Sequence, residues 1–256
     1  MKSLEQVEER TRELYGDDLP KASGVLHVAA VWERPDGRLR VIRIGPGCPA
    51  SETDTFVLRL ARMRARAILT TGRILREEPG LSHREADPTF REWRRERAGL
   101  GEPPRTVVLT SGREVDLHHR ALQTAHHPTI VTRESAAGSL RHAARVAGVA
   151  VEIVGRAEPG VRDALAWLRD QQCQPVLIEA GPTTAAALYE LPLGVDELLL
   201  SVLHAPVMDE RWVGPEFPPL TRLESLFEQQ SEPVGVNEKS GRWTFRRFAG
   251  PTPEAR

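Results

Sequence analysis

Apolar positions along this chain fall into two periods. Val25-Leu26-His27-Val28-Ala29-Ala30-Val31-Trp32 is apolar almost throughout, the pattern of a strand covered on both faces. Pro35-Asp36-Gly37 marks a turn, and residues 39–44 alternate with a period of two, which predicts a hairpin. Ahead of it, residues 3–15 predict an amphipathic helix: Ser3 caps it with Gln6 at the third position, Leu4, Val7 and Leu14 share a stripe, and Gly16 ends it. Ser51-Glu52-Thr53-Asp54 is a capping-box pattern that opens a helix with Phe56, Leu60 and Met63 toward the core and its arginines toward water. Residues 67–70 read as a short buried strand.

Further along, strand-like runs at 106–109, 129–131, 149–154 and 176–178 alternate with helix-like runs at 140–147 and 161–171, the latter with Val161, Ala164, Leu165 and Leu168 on one face. This alternation predicts an α/β fold with a largely parallel sheet and helices on its faces. Asp196 to Leu203 and Arg242 to Phe248 predict antiparallel additions at a sheet edge. The Arg- and Pro-rich stretch 82–104 predicts a long surface loop with a helical turn or two around Phe90-Arg91-Glu92-Trp93. No linker separates two domains, so the expected organisation is an N-terminal helical extension over 1–20 and a single α/β domain over 21–256.

Composition narrows the classes. At 256 residues the chain can bury a full core, and its 28% of charged residues balance to a net charge of −1. Nucleic acid is therefore not an expected partner. No apolar run reaches the length that spans a bilayer, and the first residues lead into charge rather than an apolar stretch. Cys48 and Cys173 are the only cysteines, which excludes a disulfide framework and favours a reducing, cytoplasmic setting.

The candidate chemistry gathers at predicted strand ends. Val176-Leu177-Ile178 stops at Glu179, turns on Ala180-Gly181, and opens a helix through Pro182 and Thr183. Small residues there let a phosphate approach the main chain at a helix N-terminus, although ordinary strand-to-helix turns favour the same residues. Gly72-Arg73 follows another strand end and leads into Glu77, Glu78, Ser82 and Arg84; taken alone, this is equally a solvated charged loop. Ser111, Gly112 and Arg113 end the 106–109 strand, and Thr132-Arg133 the next. A hydroxyl and a guanidinium at this strand end suit an adenosine 2′-phosphate and favour NADPH over NADH. Three signals are weaker. Gly45-Pro46-Gly47-Cys48-Pro49-Ala50 fits G-x-G-x-x-A, but its prolines lack N–H groups where phosphate would need them. His118-His119 and His126-His127 have no Cys or carboxylate to complete a ligand set, so they read as polar loop histidines and no metal is expected. Cys48 has no evident His partner.

Two of these segments carry a family resemblance. Glu179-Ala180-Gly181-Pro182-Thr183 with Val195-Asp196-Glu197-Leu198 resembles "EGGPT…VDEL", and residues 72–84 resemble "GTVRADDPxLTxR", matching at Gly72, Pro79, Leu81 and Arg84. Asp36-Gly37 resembles the "S-x-D-G" turn. Together they are similar, in order and from about residue 25 to 215, to the riboflavin-pathway reductase domain of the dihydrofolate-reductase-like superfamily. The resemblance implies a three-layer fold, a homodimer, and hydride transfer from NADPH to C1 of a ribosylamino group or a related pterin- or pyrimidine-like small-molecule substrate. It implies that Asp36, Glu77 and Glu78 lie near the reacting centre and that Arg84, Ser82 and Glu179 hold substrate. Gly72, Arg73, Ser111, Arg113, Thr132, Ala180, Gly181, Pro182 and Thr183 would hold the cofactor. No His-x-Glu accompanies a Pro-Cys-x-x-Cys, so no deaminase zinc site is expected.

The chain departs from the family pattern at Arg34 for Ser, Arg73 for Thr, Leu75 for Arg and Ala180 for Gly. Leu75 would remove a cation from the substrate side, and Ala180 would matter if that position needs a positive φ. These departures keep open a second reading, a catalytically degenerate ligand-binding or assembly protein. A third, a Rossmann protein using residues 45–50, rests on the G-x-G-x-x-A match alone.

Overall fold

The computed structural model describes residues 3–19, 22–112, 115–154 and 159–250. In chain order its elements begin with α1 (Leu4–Tyr15), β1 (Val25–Glu33), β2 (Leu39–Ile42), α2 (Glu52–Arg64), β3 (Ala67–Thr71), α3 (Gly72–Glu77) and α4 (Pro88–Glu96). Then come β4 (Arg105–Leu109), α5 (Arg120–Gln123), β5 (His126–Thr132), α6 (Glu134–Val146), β6 (Ala150–Ile153) and α7 (Val161–Asp170). The last part holds β7 (Val176–Glu179), α8 (Pro182–Ala186), β8 (Glu197–His204), β9 (Val213–Phe217), α9 (Leu220–Leu226), β10 (Glu228–Gln229), β11 (Val234–Glu238) and β12 (Gly241–Ala249).

All strands join one sheet, in the order β10-β12-β8-β1-β7-β3-β4-β5-β6, with β11 on β12 and with β2 and β9 branching from β1. From β8 to β6 every neighbour is parallel, and β12 is antiparallel to β8. The expected mostly parallel mixed sheet with antiparallel C-terminal strands is what forms. Strand side chains alternate between two cores: Val176 and Ile178 pack with α7 and α9, whereas Leu177 packs with α1, α2 and α4. A third cluster joins β4 and β5 to α3, α5 and α6. These are the helices on both faces of a three-layer fold.

Both sequence-read caps form. Ser3 Oγ accepts from Gln6 N–H at 3.3 Å, and Ser51 Oγ accepts from Asp54 N–H at 2.9 Å. The N-terminal extension is no appendage, since Val7, Leu14, Tyr15 and Leu19 share a core with Phe56, Trp93 and Trp243. Segment 82–104 corrects the loop expectation. It contains α4, capped by Asp87 with Pro88 in its first turn, and buries Phe90 and Trp93 completely. The histidines also move: His126 and His127 begin β5, and His119 is buried as the cap of α5. No helix among the described residues is long and apolar enough to cross a membrane.

One irregularity positions the site. On its β7 side, β1 is paired at Val25–His27; farther along, β2 takes over at Val31–Glu33. The sheet therefore opens past the end of β7 beside the half-buried Val28 and Ala30. A split of this kind at strand carboxyl ends is where open α/β sheets hold ligands.

Candidate functional site

β7, β3, β4 and β5 lie side by side and in parallel, so their carboxyl ends share one edge. That edge carries, in order, Ala180-Gly181, Gly72-Arg73, Ser111-Gly112 and Thr132. Three inter-strand steps cover about 14 Å, enough for an extended nucleotide. Each glycine there has its own reason. At Gly72 a Cβ would meet Thr110 Oγ1 at 3.0 Å, and at Gly112 φ is 90° with Ala136 Cβ only 2.3 Å away, so packing and backbone account for both. Gly181 differs: its φ is −59°, and a Cβ there would meet nothing within 4 Å. Ala180, replacing the family's Gly, is not among the residues with positive φ and so carries no strain of that kind. Pro182 and the exposed Thr183 open α8, a five-residue helix that continues as a 3-10 turn to Tyr189.

Beside this sheet edge sits a charged cluster. Glu179 ends β7, and Arg62 from α2 grips it bidentately, Nε to Oε1 at 2.7 Å and Nη2 to Oε2 at 2.6 Å. His83 Nε2 faces the same carboxylate at 3.6 Å, while His83 Nδ1 meets Thr106 Oγ1 at 3.1 Å. Burial alone would raise the Glu179 carboxyl, but Arg62 outweighs it and holds the group well below the usual carboxylate range. The same pairing raises Arg62 against the opposing effect of burial. Glu78, half-buried at the end of α3, is pushed up by burial and by the Glu179 charge.

The other sequence-read residues separate. Glu77 is exposed and pairs one turn back with Arg73 at 2.7 Å, whereas Glu78 is half-buried. Ser82 Oγ is engaged by Thr124 Oγ1 at 2.9 Å and by Arg84 N–H at 3.2 Å. The exposed Arg84 guanidinium makes no ion pair among the described residues. Asp36 stands at the hairpin tip, where bonds from Arg38 and the charge of Arg34 lower it to about 2. Glu33, the end of β1, is already roughly 17 Å along the strand from Val28, so the structure does not bring Asp36 to the cluster. Thr132 is fully buried and its carbonyl is taken by Val154 N–H, which corrects its reading as an open cofactor contact. Arg113 lies outside the described residues. Leu75 is buried with Val108, Leu122 and Ile130, so it is a core position rather than a lost substrate cation. Residues 45–50 follow the antiparallel β2, and the ring of Trp212 stands 2.8 Å from where a Cβ of Gly45 would be. Packing explains that glycine, and the Rossmann reading fails.

Arg62 and His83 are the participants that sequence reading missed. Arg62 looked like one more solvent-facing arginine of α2, and His83 stood inside the quoted 72–84 segment with no role. Two surface depressions, of about 320 Å³ beside Arg10 and Thr53 and about 510 Å³ beside His118 and His142, lie away from this edge. Among the described residues no group of three or more His, Cys, Asp or Glu is arranged to hold a metal.

Known proteins share this fold. The structure resembles a pyrimidine reductase-like protein from Corynebacterium diphtheriae with a TM-score of 0.67 and 17% identity, covering 94% of this chain and 98% of that one. It resembles the riboflavin biosynthesis reductase Rib7 of Saccharomyces cerevisiae at 0.56 and 13% identity, covering 96% of this chain and 100% of that one. For RibD of Acinetobacter baumannii the values are 0.59 and 14%, covering 90% of this chain and 59% of that one. At these identities the likeness establishes the fold. No curated protein matches the sequence. The family model of the RibD C-terminal domain matches residues 36–208, from the hairpin turn through β8 and so across the shared edge of β7, β3, β4 and β5, and the chain belongs to that family.

Proposed function

We propose that this chain is an NADPH-dependent reductase that transfers hydride to a ribosylamino or a pterin- or pyrimidine-like substrate. The observation that carries the reading is the backbone at Gly181. Neither packing nor φ calls for glycine there, and a side chain would occupy open space at the strand end. The open space over the main chain there, at a strand end that feeds a helix N-terminus, leaves room for the close approach of a pyrophosphate. Gly72, Arg73 and Ser111 line the same edge, with Ser111 toward the 2′-phosphate, and the sequence adds Arg113 two residues on as its candidate guanidinium. A bound NADPH would supply the hydride.

The chain's own residues would supply orientation and a proton. Glu78 is assigned as the proton carrier: it heads the loop that leads to His83, and burial, then the Glu179 charge, push its carboxyl up against the opposing pull of Arg62 and His83. Reduction of a ribosylamino group places hydride on C1 and a proton on the ring oxygen, whose bond to C1 breaks as the chain opens. Arg84 offers a planar donor to a substrate phosphate. Leu75 in the core and Ala180 without a positive φ remove two of the grounds for a non-catalytic relative.

Calorimetry with NADPH and NADH in parallel tests the cofactor. NADPH is expected to bind at least about tenfold tighter, with Arg113→Ala removing that preference. No binding of either nucleotide would overturn the reading. Glu78→Gln should keep NADPH binding while losing about 10²–10⁴ in kcat. Wild-type turnover in that variant would remove Glu78 as the proton carrier.

A further inference from the structure

We propose that Arg59 is a positioning residue: together with Arg62, three residues further along α2, it clamps the segment 82–87 so that the Arg84 guanidinium stands clear of the protein to meet a phosphate-bearing ligand. The identity of that phosphate rests on the reductase reading, and the clamp does not.

Residues 82–87 form neither helix nor strand, yet their burial alternates with a period of two. His83, Glu85 and Asp87 turn toward the protein while Arg84 and Ala86 are exposed, as on any extended chain. Each inward residue is fastened. His83 Nδ1 meets Thr106 Oγ1 at 3.1 Å. Glu85 takes both ends of the Arg59 fork, Nε to Oε2 at 2.9 Å and Nη2 to Oε1 at 2.7 Å. Asp87 Oδ2 accepts from the same Nη2 at 3.2 Å, while its Oδ1 caps α4. The main chain is tied as well. Arg62 Nη1 donates to the Ser82 carbonyl at 3.4 Å, and Arg91 Nη1 to the Glu85 and Ala86 carbonyls at 3.0 and 2.6 Å.

Arg59 is itself held in place. Its guanidinium lies over the ring of Phe90, with Cζ 4.0 Å from the centroid, and Phe90 is completely buried against the edge of Phe56. Standing three apart, Arg59 and Arg62 share one face of α2. They grip the segment on either side of Arg84: Arg62 at the Ser82 carbonyl before it, Arg59 at Glu85 and Asp87 after it. A planar fork on a carboxylate fixes orientation as well as distance. Between these anchors the Arg84 N–H bonds to Ser82 Oγ at 3.2 Å, and its guanidinium makes no ion pair among the described residues. A cation whose backbone is fixed before the anion arrives loses less freedom on binding.

Calorimetry of ribose 5-phosphate with the full chain, without nucleotide, tests the clamp, and Glu85→Ala is the deciding variant. It removes a negative charge one residue from Arg84, so electrostatics alone would tighten the anion. Lost positioning weakens it instead, and a Kd raised about three- to tenfold is the expected result. Arg59→Met should weaken binding as well, and Arg59→Lys, which keeps the charge and loses the fork, should not restore it fully. Arg84→Ala should abolish it. Hydrogen exchange, with urea midpoints to confirm folding, locates the cause. In Arg59→Met the amides of Arg84 and Asp87, bonded in the native chain to Ser82 Oγ and Glu85 Oε1, should exchange about tenfold faster or more. Equal or tighter binding by Glu85→Ala would overturn the proposal, as would unchanged exchange in Arg59→Met or retained binding in Arg84→Ala. A native chain that ignores ribose 5-phosphate would overturn it too, since nothing would be there to position. NADPH calorimetry is read apart from this. A chain that binds ribose 5-phosphate through a clamped Arg84 and binds no nucleotide keeps this proposal and loses the reductase reading.

Discussion

His27 shows how a single buried side chain writes a pH dependence into the fold. It lies on β1 with Nδ1 2.6 Å from Tyr189 Oη, its ring beside Tyr189 and Phe217. Burial lowers the imidazole from 6.5 to about 4. The unfolded chain therefore binds a proton that the folded chain refuses between those values, and stability is complete above about pH 6.5 and falls as pH drops toward 4. At pH 5 the loss from this group is about 2 kcal/mol. Urea midpoints for His27→Gln should be flatter than wild type between pH 7 and 5; parallel slopes would remove His27 as the cause. Glu179 has a window lower on the scale. Its folded carboxyl is depressed, so its contribution is present above about pH 4.3 and is lost only as pH falls further. Much at this scale was legible in sequence: the strand end at Glu179, the bare Gly181 and the loop bearing Glu78. The Arg62–Glu179 fork was not, because its partners are 117 residues apart and periodicity assigns an arginine on an amphipathic helix to water. The choice between Glu77 and Glu78 was closer to hand. Arg73 and Glu77 stand four apart on a helix, a spacing that already pairs Glu77 away from the site.

Among the elements, α4 is the one that polarity reduced, in sequence, to a helical turn or two. Its arginines outnumber its apolar residues, yet Asp87-Pro88 is a helix start and Phe90 and Trp93, three apart, bury one face. Arg94 is buried beside them. Nη1 donates to the Met63 and Ala65 carbonyls at 2.8 and 2.7 Å, and Nε donates to the Glu102 carbonyl. An arginine thereby closes the C-terminus of α2, whose last carbonyls have no partners of their own. Burial lowers this guanidinium to about 10, still high enough to keep it charged at neutral pH. Trp93→Ala should cost about 3–5 kcal/mol through the cavity it leaves. Arg94→Met keeps the packing stem but strands the carbonyls, at about 1–3 kcal/mol each where water cannot reach them. Denaturant midpoints for the two variants measure both costs, and an unchanged midpoint for Arg94→Met would mean that solvent already serves those carbonyls. Because α2 also carries Arg62, a frayed α2 should release the grip on Glu179. α4 thus reaches the site through its neighbour.

Across the whole molecule, alternation of strand and helix foretold a parallel sheet, but not the order of its strands. β1 takes β7 and β8 as neighbours from the far end of the chain, and local pattern holds no record of such pairing. The same distance hid the place of α1. It read as an extension ahead of the domain because its helix period stands apart from the later alternation. In the fold it lies against α4 and β12, and the segment after it meets the exposed rim of an otherwise buried ion network. There Arg64 and Arg247 share Glu197, at 2.6 and 2.8 Å, and Arg247 also reaches Asp18 at 2.7 Å. Removing residues 1–19 would uncover the faces on which Val7, Leu14, Tyr15 and Leu19 pack, at roughly 1.5–3 kcal/mol for each side chain of that size. Four such losses are comparable to the entire stability of a typical domain, about 5–15 kcal/mol. The truncated chain is therefore expected to lose its cooperative thermal transition and its near-UV circular dichroism together. If it instead melted as the full chain does, α1 would be an appendage after all. The sheet edge with Gly181 would then stand without it, and NADPH binding by the truncated chain should survive along with the fold.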